Sequence, residues 1–253
     1  MYAEPLIKLA CASVLVILVI LLSYFRRIEI GRDLSSAALR GFAQLMLLSV
    51  VLTYVFTSVM WHTLAIVIFI AMALLAGYTS ARRVDMPKAA LITTPSIAIG
   101  ASISLAIMVA LNVIPLKPEF VIPIAGMAFG NAMNICSLTL TRLLSEIRNN
   151  KSRIEVMLAL GATAQEAVEQ YERASIKSAL IPTLDNMRTL GIIFIPGAMT
   201  GMLMAGVEPI TAAVYQLSIF FMIISSGAIT AVYASYLVRG RLFTPAHQLT
   251  EEI

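Results

Sequence analysis

Long stretches free of Asp, Glu, Lys and Arg dominate the chain, and their lengths predict its elements. They cover residues 9–25, 41–81, 89–116, 120–141, 189–207 and 209–238. A helix needs about 20 apolar residues to cross a hydrocarbon core at 1.5 Å per residue. The run 41–81 is long enough for two crossings, and its most polar point, Trp61-His62-Thr63, marks the turn between them. The other runs hold one crossing each. Backbone amides in lipid must be satisfied within their own segment, and these runs lack the period of a membrane barrel strand. The pattern predicts an all-α polytopic integral membrane protein with seven transmembrane helices.

Composition agrees. Only 13% of the 253 residues are charged and 59% are hydrophobic, about half the charge of an ordinary soluble domain. The net charge of +4 is too small to point to a nucleic-acid partner. What matters is where the charges fall. Of the 18 Lys and Arg residues, all but Lys8 and Lys117 lie in loops on one side of the predicted bundle. Positive residues collect on the cytoplasmic face, so the N-terminus is expected outside and the C-terminus in the cytoplasm of a cell membrane. Arg26-Arg27 follow the first span like a stop-transfer signal, which argues against a cleaved leader. Cys11 and Cys136 both sit in apolar runs, without a disulfide or CxxC pattern.

The one long polar stretch, between the fifth and sixth spans, has its own order. Leu143, Leu144, Ile147, Ile154, Met157, Leu158 and Leu160 recur at near-helical spacing among charged residues, predicting an amphipathic extension of span five. Gly161 is placed to end that helix, and Thr163 with Glu166 three residues on forms a capping-box signature for a second one. This second helix presents Ala167, Val168, Tyr171 and Ser175 on one face, and Pro182 is expected to interrupt it. The result is a cytoplasmic helix–Gly–helix elbow over residues 142–181 within a single permease domain spanning 1–253. Such an elbow either lies on the headgroups as a connector or docks a soluble partner. The spacing of Glu155 and Gly161, six apart, is similar to the loop by which permeases of bacterial ABC importers meet their ATPase. Pro182, 21 residues beyond Gly161, lies farther out than that loop has it. On the docking reading, Glu155, Leu160, Gly161, Ala162 and Thr163 form the ATPase-coupling segment.

Candidate path residues cluster in spans five and six. Gly126 and Gly130 make a small-xxx-small face, followed by Asn131 and Asn134, whose amides are costly to leave against lipid. They serve as interhelical hydrogen-bond partners or as cargo contacts. In span six, Pro196 is expected to open the helix, with Gly197 and Gly201 four apart and Met199 between them. Fourteen methionines offer soft thioether ligands but are also ordinary core fillers. His62 lies in a loop and His247 in the tail, so no preformed metal cage is visible and the metal ligands stay unknown. Arg40 and Gln44 share a helix face at the start of span two. Arg40 either snorkels to phosphates or pairs with Asp185, which is expected at a helix N-terminus. The candidate substrate path thus comprises Met127, Asn131, Asn134, Met199 and Gln44.

Six stretches taken together resemble the UPF0014 family of membrane proteins. These are IPIAGMAFGNAM at 122–133, LALGAT at 158–163, ALIPTLD at 179–185, IPGAMTG at 195–201, AGVEP at 205–209 and Arg40-x-x-x-Gln44. They occur in the family's order, and the resemblance covers nearly all of residues 5–248. It implies a non-catalytic permease subunit, a homodimer, paired with a separate ABC-type ATPase that binds ATP-Mg and drives export of a metal ion such as iron. The cargo is not fixed by membership, since bacterial and plant members are associated with different ones. The chain has no GxxxxGK[ST] phosphate loop, so no cofactor is expected on it. Two other readings are a stand-alone secondary transporter, which would need a carboxylate deep in a span, and a membrane anchor or regulator for a cytoplasmic ATPase.

Overall fold

The structure, a computed structural model, describes residues 3–28, 30–244 and 248–250, with side chains from Ile7 onward. His247 lies outside the described residues. Internal packing groups the chain into two units, residues 1–61 and 62–253.

The first unit is a helical hairpin of α1 (Ala3–Arg26) and α2 (Gly31–Thr57). Its turn is fixed by Ser23, whose carbonyl accepts the Ile28 N–H and whose hydroxyl accepts the Ile30 N–H, each at 3.1 Å. Gly31 lets α2 start against Ile20. Almost every large apolar side chain of this hairpin is exposed, Leu15, Leu39, Leu47 and Val50 among them. In water such a surface would aggregate; in a bilayer it is solvated by acyl chains. The hairpin ends at Ser58–Met60, so Trp61, His62 and Thr63 form the first turn of the next helix rather than the turn itself.

The second unit holds α3 (Trp61–Ala81), α4 (Ala90–Ala110), α5 (Pro118–Asn149), α6 (Lys151–Ala159), α7 (Ala164–Arg188), α8 (Gly197–Met204) and α9 (Pro209–Leu242). Helix α5 is its axis, packed on α4, α7 and α9. At 32 residues it is about 48 Å long, well beyond a hydrocarbon core of about 30 Å, so one end must project from the membrane. The close approaches occur at glycines other than those the sequence singled out. A Cβ on Gly100 would sit 2.6 Å from the Ser226 carbonyl oxygen of α9, and one on Gly77 would sit 2.6 Å from the Thr94 Cα of α4. Gly126 meets only Met72, while Gly130, Gly197 and Gly201 have no atom within 4 Å of an added Cβ.

Among the described residues, six helices are long and apolar enough to cross a membrane: α1, α2, α3, α4, α5 and α9. The seventh expected crossing, 189–207, is folded differently. Gly191 takes a φ of +79°, and the N–H groups of Ile192, Ile193 and Phe194 all turn back to the Thr189 carbonyl. Pro196 then caps an eight-residue α8, about 12 Å long. Pro182 also departs from expectation, because α7 runs through it to Arg188. A proline inside a helix costs about 3 kcal/mol; here Ala179 and Thr183 on either side are buried. Asp185 therefore sits in the last turn of α7, not at a helix start, and pairs with Arg188 at 2.9 Å.

Replacing Gly100 by Ala forces α4 away from α9 and should destabilise the protein by about 1–3 kcal/mol. Gly130→Ala, with nothing in its way, should stay within about 0.5 kcal/mol of the wild type. Thermal unfolding in detergent, followed by loss of the monodisperse elution peak, separates the two; equal behaviour would contradict the packing described here.

Candidate functional site

The elbow is built from local signals. At the end of α6, Gly161 adopts φ +93°, a conformation that a Cβ makes costly. Its N–H donates to the Leu158 carbonyl and the Ala162 N–H donates to the Met157 carbonyl, both at 3.0 Å, the paired bonds of a Schellman cap. Thr163 opens α7 with a reciprocal capping box. Its N–H donates to Glu166 Oε2 at 2.8 Å and its hydroxyl accepts the Glu166 N–H at 3.3 Å. The Thr163 N–H, and its hydroxyl donating to the same Oε2 at 2.8 Å, hold the Glu166 carboxyl below its ordinary value. Glu155 is exposed, and Leu160 is 83% exposed at the tip.

The rest of the elbow is not a loose loop. Ile154, Ala167, Val168 and Tyr171 are buried in the same core as Val238 and Leu242 of α9. Glu172 of α7 is buried too and accepts from Arg239 Nη1 of α9 at 3.3 Å, while its other oxygen has no partner. Burial raises the Glu172 carboxyl above its ordinary value, with Arg239 opposing that rise and Glu169 adding to it.

Above the elbow, α5 and α7 form a cleft of about 470 Å³ together with Arg83 of the turn after α3. Asn131 bridges three helices: its Nδ2 donates to the Ile223 carbonyl of α9 at 2.9 Å, and its Oδ1 accepts from the Thr183 hydroxyl of α7 at 3.3 Å. Asn134, one turn on, accepts from Arg83 Nη1 at 2.9 Å. Ser137, Thr141 and Asn186 complete its polar lining, and Ile135, Leu138, Ala179 and Pro182 line the rest. Of the sequence-predicted path residues, only Asn131 and Asn134 reach this cleft. Met127 lies on an exposed part of α5, and Met199, half-buried on α8, donates its backbone N–H to the buried Gln216 side chain at 3.1 Å. Arg40 and Gln44 are exposed on α2, in the first unit. Among the described residues, no three His, Cys, Asp or Glu come together to hold a metal ion.

Sequence reasoning missed Arg83, Thr183, Glu172, Gln216 and Arg239. Arg83 counted only as a topology charge. Thr183 lay inside a family string, beside a proline read as a break, and nothing in local spacing signals a contact made across 51 or 67 residues.

Apolar helices of this length around a polar cleft define a multi-pass helical membrane protein. Residues 6–243 match the family described as Uncharacterised protein family (UPF0014), and the chain belongs to it. It is 34% identical over 251 residues to "UPF0014 membrane protein STAR2" of Oryza sativa subsp. japonica, covering 98% of this chain and 87% of the relative. It is also 34% identical over 243 residues to "Probable iron export permease protein FetB" of Escherichia coli (strain K12), covering 96% and 93%. "Protein ALUMINUM SENSITIVE 3" of Arabidopsis thaliana is 34% identical over 255 residues, covering 100% and 92%. No solved structure matches the chain.

The buried acid sets a pH dependence. With its carboxyl raised in the folded state, Glu172 leaves stability intact below its unfolded value, near 4.5. Stability is then lost as pH rises through the folded value. Melting temperatures in detergent across that window should fall for the wild type relative to Glu172→Gln. Parallel curves for the two would show that Glu172 is not buried as described.

Proposed function

We propose that this chain is the transmembrane permease subunit of an ABC-type transporter in the cell membrane, exporting a metal ion such as iron and powered by a separate ATPase. The observation that carries this reading is the near end-to-end match to a relative named as an iron export permease. Two copies of the chain form the membrane unit, and the ATPase binds ATP-Mg. The chain itself carries out no covalent chemistry. The N-terminus lies outside and the C-terminus in the cytoplasm, so the broken segment 189–207 completes a seventh passage across the membrane.

The elbow gives the mechanism a lever. Glu155, Leu160, Gly161, Ala162 and Thr163 meet the ATPase, with exposed Leu160 entering its groove. Closure of the ATPase on ATP pushes α6 and α7 as one capped body. Glu172 with Arg239 and Thr183 with Asn131 carry that push into α9 and α5, and the cleft changes its access. Asn131 and Asn134 mark the cargo path, with Met127 and Met199 farther along the same unit. The open glycines Gly130, Gly197 and Gly201 offer faces where a second copy can approach closely, and Gly126 and Pro196 support the same seam.

The test is ATP-dependent iron flux into inside-out vesicles holding this protein and its ATPase. Leu160→Asp should abolish both flux and assembly with the ATPase. Asn131→Leu should slow flux by roughly tenfold or more, equivalent to about 1.4 kcal/mol, with the complex still eluting intact. Uphill flux without any ATPase would end this reading, and loss of the complex in Asn131→Leu would make Asn131 structural only.

A further inference from the structure

The cleft between α5, α7 and the turn after α3 has the wrong charge for a naked cation. Its one charged lining residue is Arg83. Among the described residues Arg83 has no carboxylate partner, whereas Arg148, Arg173, Arg188 and Arg239 each pair with an acid. The nearest acid along α7, Asp185, is held by Arg188 and does not line the cleft.

Hydrogen bonding points the same way. Arg83 Nη1 is held by Asn134 Oδ1, which fixes the guanidinium against α5 and leaves its other N–H groups unspent. Turning Oδ1 to Arg83 leaves the Asn134 amide with its donor side available. The hydroxyls nearby have spent their protons elsewhere: Thr183 donates to Asn131 Oδ1, Ser137 to carbonyls of its own helix, and Thr141 to the Arg83 carbonyl. The charge the cleft presents is the Arg83 guanidinium, with the Asn134 amide donor beside it. A bare metal ion entering it would meet a like charge and no carboxylate. An oxyanion would meet the planar donor set that guanidinium groups bind in two-point fashion.

We propose that this cleft binds an anion through carboxylate or phosphate oxygens, so that a metal passing it travels as an anionic oxygen-donor complex. The cargo half of this statement rests on the transport reading above; the binding half does not. The same oxygens occur on an anionic lipid headgroup, and the experiment separates the two sources.

Purified protein in phosphatidylcholine nanodiscs is titrated with citrate, ferric citrate, pyrophosphate and ferrous ion alone, by calorimetry. Wild type, Arg83→Gln and Arg83→Lys are compared, and unchanged elution of each variant certifies folding. The soluble anions should bind the wild type and weaken by roughly tenfold or more in Arg83→Gln, as loss of a charge-assisted bond implies, with Arg83→Lys between. Nanodiscs that add phosphatidylglycerol test the other source. If no soluble anion binds but phosphatidylglycerol is retained by the wild type and lost from Arg83→Gln in native mass spectra, the anion cleft stands with a headgroup as its ligand and the cargo half falls. Ferrous ion alone binding the wild type as tightly as Arg83→Gln, anion binding indifferent to Arg83, or no anion bound from either source overturns the proposal. ATP-driven flux measured in parallel keeps the two readings apart: absent flux with intact anion binding sinks the transport reading alone.

Discussion

The amide of Asn131 holds α5, α7 and α9 together inside an apolar bundle. An amide left unpaired in hydrocarbon costs several kcal/mol, so its two bonds, to the Ile223 carbonyl and the Thr183 hydroxyl, fix the angle at which three helices meet. Gly227 makes this possible. A Cβ there would lie 3.0 Å from Asn131 Nδ2 and displace the Cδ1 methyl of Ile135, so the missing side chain leaves room for the amide beside α9. One polar residue and one missing side chain thus determine how the axis of the bundle meets the helix that leads to the elbow.

That junction gives the elbow its mechanical meaning. Helix α7 is joined to the membrane helices by Thr183 near its end, by Glu172 and Arg239 in its middle, and by Ala167, Val168 and Tyr171 buried in the common core. The Schellman cap and the capping box make the α6–α7 corner stiff. A force on Leu160 is then transmitted as displacement of a packed body, because close-packed interiors shift between discrete arrangements rather than stretch. The α1–α2 hairpin is built on a different principle, with little internal burial and an apolar exterior. Its stability comes chiefly from the lipid around it.

Six crossings were legible because a missing charge is a one-dimensional signal, and the elbow's corner was legible because Gly161, Thr163 and Glu166 act on neighbours within a few residues. What the sequence hid falls into two kinds. The stretch 189–207 is apolar throughout, and hydropathy does not register that Gly191 and Pro196 divide it into a turn and a short helix. Prolines are equally ambiguous, since whether Pro182 ends a helix depends on what packs against Ala179 and Thr183. The second kind is pairing between distant helices. Arg83 meets Asn134, and Glu172 meets Arg239, only once the helices are placed. Glycines show the same limit: Gly126 and Gly130 have the spacing of a contact face, yet the contacts fall at Gly77, Gly100 and Gly227.

The central claim is that closure of the proposed ATPase shifts the α6–α7 body against α5 between two discrete arrangements, which the Thr183 and Glu172 contacts couple to the membrane helices. Electron-spin distance measurement tests it directly, with one label at exposed Arg153 on the elbow and another at Leu138 on α5, in nanodiscs with the ATPase bound. The account predicts one distribution without nucleotide and a second, shifted by several ångströms, with non-hydrolysable ATP. It also predicts that substituting both Thr183 and Glu172 broadens the two into one. An unchanged distance in every state, with the ATPase bound and its sites occupied, would contradict the account.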